Sequence, residues 1–132
     1  MRKEKGPAVA VNVHFDGDVV ILSNFGRLLN DPRHFDAGRD VSALLDEGRR
    51  KFVFDLTTLR EAGDVALGLL TTLTRLIRQG DGEVVLCKVG KETGRYLDEM
   101  RMDAYWEILD TIEEAKAYLA MTSDSEPESV DD

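Results

Sequence analysis

The chain has little of what most catalytic, secreted or membrane proteins display. It holds one cysteine, Cys87, in 132 residues, so it carries no internal disulfide framework and fits a reducing compartment. No apolar run is long enough to span a bilayer. The longest candidate, Val65 to Ile77, is broken by threonines and Arg75. The N-terminus, MRKEKGPAVAV, is basic but lacks the apolar stretch of a secretory signal. These absences point to a cytoplasmic protein. There is no basic stripe to displace counterions from phosphates, which argues against nucleic acid. The two histidines, His14 and His34, are far apart and read as ordinary imidazoles. There is no Ser elbow, no Cys-x-x-Cys and no His-Glu-x-x-His. Gly90-Lys91-Glu92-Thr93 imitates a phosphate loop, but Val85 stands where the first glycine belongs and Glu92 separates Lys91 from Thr93. No cofactor or metal is expected, and the chain reads as a non-enzyme.

What is present is one domain's worth of globular sequence, 42% apolar, with a net charge of −9. Five of those charges, Asp124, Glu126, Glu128, Asp131 and Asp132, sit in the tail. The segment 122–132 has too little apolar surface to offset ordering entropy and reads as a disordered acidic tail, leaving 1–121 as the domain.

The organising stretch is Lys51 to Gly80: a buried strand, a polar loop from Thr57 to Gly63, then a helix opening at Asp64. Ahead of it, Ala8–Phe15 and Val19–Ser23 read as strands joined by Asp16-Gly17-Asp18, a hairpin signal because Gly accepts positive φ without steric cost. Asn30-Asp31-Pro32 signals a helix start, although Gly38 weakens the middle enough for the helix to begin near Asp36. Gly48 stops it. In the helix from Asp64, Ala66, Leu69, Leu70, Leu73, Leu76 and Ile77 form the apolar stripe, with Thr71, Thr74, Arg75 and Arg78 assigned to the outside.

Glu83–Val89 is the fourth strand, and a helix from Glu92 to Met100 follows with Tyr96, Leu97 and Met100 inward. A short strand near Tyr105–Ile108 comes next. Asp110-Thr111-Ile112-Glu113-Glu114 is a capping box in two overlapping registers. The fold class is α/β: a mixed, mostly parallel sheet of about five strands, antiparallel only at the first hairpin, with about four helices mainly on one face and the other face partly bare. Cys87 reads as a core hydrophobe. Asp55, at the carboxyl edge of its strand, is placed for a ligand or for capping the turn after it.

The order and spacing of these pieces resemble a STAS domain, the module of bacterial anti-sigma factor antagonists. The resemblance runs from Ala8 to Leu119. It rests on the DGD hairpin, Gly26-Arg27-Leu28, the stretch Glu47 to Thr57, Leu67-Gly68-Leu69-Leu70 and Asp110 to Ala115. In that family the loop after the third strand ends in Asp-Ser-Ser-Gly, and its first Ser is phosphorylated by a cognate anti-sigma kinase, releasing the partner. Here the positions read Gly63-Asp64-Val65-Ala66, so Asp64 stands where the acceptor serine would stand.

The resemblance implies a protein partner, either an anti-sigma-type kinase or another STAS chain, docking on Asp55, Thr57, Thr58, Gly63, Asp64, Val65 and Gly68. A homodimer stays open. Asp64 is either a helix N-cap or a permanent stand-in for the phosphorylated state, with one negative charge instead of roughly two. Thr57 or Thr58 would be the substitute acceptors. The alternative reading is a nucleotide or lipid carrier, or a structural subunit, using the carboxyl edge of the sheet near Asp55 and Asp64.

Overall fold

The computed structural model describes residues 12–29 and 36–131, with side chains as far as Thr122. The strands β1 (Asn12–Asp16), β2 (Val19–Ser23), β3 (Lys51–Asp55), β4 (Glu83–Cys87) and β5 (Ile108–Leu109) form one sheet in chain order. β1 and β2 pair antiparallel and every later pair is parallel. Between and after them lie α1 (Phe25–Leu29), α2 (Ala37–Asp46), α3 (Asp64–Gln79), α4 (Lys91–Glu99) and α5 (Ile112–Asp131). The expected helix start at Asn30-Asp31-Pro32, His34, the part of the first strand before Asn12 and the side chains of the acidic tail lie outside the described residues.

The hairpin turn has two residues, Gly17 and Asp18, with Gly17 at φ 63°. The flanking aspartates make ion pairs across elements: Asp18 with Lys51 at 2.7 Å and Asp16 with Lys116 of α5 at 2.8 Å. The hydrogen bond from Lys51 holds the Asp18 carboxyl below its usual range.

Alternation along the strands splits the core in two. Val20, Leu22, Phe52, Phe54, Val84 and Leu86 face α1 to α4 and meet Phe25, Leu28, Val41, Leu70, Leu73, Ile77 and Leu97. Val19, Ile21, Val53, Val85 and Cys87 face the other way, where Ala115 and Leu119 of α5 close over them. The second face is therefore less bare than the polar strand positions suggested, because α5 returns across β3, β4 and β5. Thr111 caps α5: its hydroxyl oxygen accepts from the Glu114 N–H at 3.1 Å, while Glu114 reaches back to the Asp110 N–H.

Three side-chain placements differ from the sequence reading. Thr74 is fully buried, not outward, and its hydroxyl oxygen accepts the indole N–H of Trp106 at 2.8 Å. Met100 is 45% exposed, and Tyr96, within α4, is half-buried with its hydroxyl at the surface, not inward. The last strand starts three residues late, since Tyr105 and Trp106 turn back onto α3, with Arg78 stacked over the Tyr105 ring.

Candidate functional site

The loop between β3 and α3 is held at several points. Asp55 turns it: one carboxylate oxygen accepts both the Thr57 N–H at 3.0 Å and the Thr57 hydroxyl at 2.6 Å. The Thr58 hydroxyl oxygen accepts the N–H of Gly26 in α1 at 3.1 Å. Gly26 is required here because a Cβ would collide with the Thr58 carbonyl oxygen. Leu59 is buried beneath the loop, and its carbonyl accepts the buried Thr93 hydroxyl at 2.9 Å. The Thr93 hydroxyl of the phosphate-loop imitation is thus a structural tie. Both loop threonines are solvent-exposed at the residue level, yet each has its hydroxyl in a hydrogen bond.

α3 opens after this anchored loop. Its cap is Gly63, in extended backbone (φ −150°, ψ −165°), with no side-chain capping bond. The N-cap reading of Asp64 is therefore corrected: Asp64 is the first helical residue, exposed, and its carboxylate accepts the hydroxyl of Tyr96 in α4 at 2.7 Å. That bond, with burial a lesser cause, pushes the Tyr96 phenol above its ordinary range. Behind Asp64, Val65 is 64% exposed, and Gly68 and Thr72 follow at helical spacing on the same outward stripe. A side chain added at Gly68 would meet nothing within 4 Å. The surface is firm beneath and open above.

Asp64, Val65, Gly68, Thr57 and Thr58 stand on the α3 side of the molecule. Asp55 does not share a cleft with Asp64. It opens on the α5 side, in a shallow cleft of about 600 Å³ with His14, Ser23 and Lys88. Beside it in the pairing, Cys87 is fully buried, and burial together with the Asp55 charge pushes its thiol up to about 11. It is a core residue, not a nucleophile. Among the described residues no group of three His, Cys, Asp or Glu side chains is arranged to hold a metal, and no helix is long and apolar enough to cross a membrane. The Tyr96–Asp64 contact was not legible in the sequence: the two lie 32 positions apart, and no spacing rule joins a helix to the next one.

The family model for the STAS domain matches residues 35–115. No curated protein matches the chain. Among solved structures, the chain is similar to an anti-sigma-factor antagonist (STAS) domain protein from Planctomyces limnophilus, with 20% identity and a TM-score of 0.69, over 83% of this chain and 97% of that one. It is similar to an anti-sigma factor antagonist from Mycobacterium paratuberculosis, with 18% identity and a TM-score of 0.64, over 86% and 97%. It is also similar to the Bacillus cell fate determinant SpoIIAA in its phosphorylated form, with 14% identity and a TM-score of 0.59, over 83% and 98%. At these identities the likenesses are likenesses of fold.

Proposed function

The chain belongs to the STAS domain family, and from that premise we propose that it is a non-enzymatic, cytoplasmic partner-switching module of the anti-sigma factor antagonist type. Its partner is a protein, an anti-sigma-type kinase or another STAS chain. The docking surface is the Thr57–Gly63 loop with the exposed start of α3: Asp64, Val65 and Gly68. Asp64 stands where the family's phosphorylatable serine would stand, so the docking surface is kept while the phosphorylation that releases a partner is lost.

One observation carries the reading. Asp64 does not cap its own helix, so its carboxylate stays at the surface beside an exposed apolar side chain and a bare glycine. A carboxylate that served only α3 would turn back onto the first-turn N–H groups. Thr57 and Thr58 are poorer phosphate acceptors than a serine at 64, because modification of either would break a hydrogen bond that shapes the loop. The small-ligand reading has less support, since the cleft that holds Asp55 is lined by His14, Ser23 and Lys88 and not by Asp64.

The test is Asp64→Ser incubated with a purified anti-sigma-type kinase beside the unaltered chain. Phosphate uptake by the variant alone is the expected result. The unaltered chain, used as bait in its native extract, is expected to retain a kinase-fold or STAS-containing protein. Uptake by neither chain, with nothing retained, overturns the reading.

A further inference from the structure

We propose that Tyr96 is a positioning residue of this docking surface: it holds the Asp64 carboxylate toward α4, so that the surface offered to a partner spans two helices. The inference rests on the docking reading and deepens it.

Asp64 is the first residue of a 16-residue helix whose cap, Gly63, has no side chain to offer the free N–H groups. A carboxylate there is drawn to those groups and to the positive end of the helix. Yet it accepts a hydroxyl from another helix at 2.7 Å, a charge-assisted bond of short geometry. The donor ring stands at the edge of a shallow hollow of about 380 Å³ lined also by Glu61, Ala62, Glu92, Arg95 and Glu99. Arg95 is paired with Glu92 at 2.9 Å. Glu99 adds a second negative charge near the phenol. Tyr96 is therefore the neutral donor available to Asp64 among acidic neighbours. Because α4 is fixed independently, through buried Leu97 and the Thr93–Leu59 bond, the phenol has a stable platform from which to hold the carboxylate. A freely rotating aspartate would offer its charge over a wide arc. A held one offers its second oxygen in one direction, which is the form in which a single charge discriminates between partners.

The experiment has two arms. In the first, the tyrosines are titrated by ¹³C NMR in the unaltered chain and in Asp64→Asn. The Tyr96 phenol is expected to ionise above its ordinary range in the former and to fall back in the latter. Identical titrations mean that the bond is not formed in solution, and the proposal falls whatever the partner does. In the second, the affinity of a purified anti-sigma-type kinase is measured for the unaltered chain, Tyr96→Phe, Asp64→Asn and the double variant. Losing the hydroxyl is expected to weaken binding by about three- to tenfold. The double variant should then bind no more weakly than Asp64→Asn, because Tyr96 acts through Asp64. Undiminished affinity in Tyr96→Phe, or losses that multiply in the double variant, overturn the positioning role. If the kinase binds none of the four chains, the docking reading fails and this proposal with it, even where the titration shows the bond. A bond with undiminished affinity sinks the positioning role alone.

Discussion

At the level of single residues, the chain spends some stability on charges it does not satisfy. Asp40, in the first turns of α2, has one carboxylate oxygen buried without a hydrogen-bond partner. Burial, and then the nearby charge of Asp36, push its carboxyl above the usual range. The folded chain thus holds this proton more tightly than the unfolded chain does. The group favours folding where it is protonated, below its unfolded value near 3.8, and that contribution is lost as pH rises through the raised folded value. Asp40→Ala is therefore expected to stabilise the protein at pH 7 by about 1 kcal/mol or less, a figure discounted because the side chain also reaches solvent. The gain should vanish below about pH 4, and melting curves at the two pH values check it. The residue scale is also where the sequence was hardest to read. Asp64 was legible as the residue that opens α3, since a carboxylate at a helix start is a local signal. Its hydrogen-bond partner was not, because Tyr96 lies 32 positions away on another helix and is brought to it by the fold as a whole.

At the level of elements, strands and helices were mostly legible, and the misses have physical causes. β1 to β4 stand out through alternating or continuous apolar runs bounded by glycines and turn residues. β5 has only two residues, too short for any periodicity, and its neighbours Tyr105 and Trp106 looked like strand while serving α3. Thr74 was sent outward for its hydroxyl, although it lies one turn after Leu70 and one before Ile77 on the buried stripe. The hydroxyl is there because Trp106 needs an acceptor: the contact ties the second half of α3 to the segment leading into β5. Arg78 adds to the same junction, donating to the Tyr105 carbonyl at 2.9 Å and to Glu83 at 2.8 Å. Thr74→Val keeps the shape and removes the acceptor, so the buried indole N–H is left unpaired. The cost expected is about 1–3 kcal/mol in urea unfolding. Trp106 is the single tryptophan, so its emission should report the change directly.

At the level of the whole molecule, the helices divide between the two faces of the sheet, α1 to α4 on one and α5 on the other. α5 closes the second face with few residues, and Leu119 is fully buried among Val19, Ile21, Val53 and Val85. The opposite side of the molecule carries the exposed start of α3, where Val65 supports nothing beneath it. The fold was legible because burial repeats along the chain. This division was not, because it depends on which face each helix takes after its crossover. It makes two substitutions behave in opposite ways. Leu119→Ala should cost about 2–5 kcal/mol of stability and leave partner affinity unchanged at temperatures where the protein stays folded. Val65→Asp should shift stability by no more than about 0.5 kcal/mol, because the side chain is already in water. It should nevertheless abolish retention of the partner, since a new charge beside Asp64 would have to be desolvated on docking. Chemical denaturation and bait retention, measured on the same two variants, check the pair. Loss of both properties in Val65→Asp would mean that the start of α3 serves the fold as well as the partner.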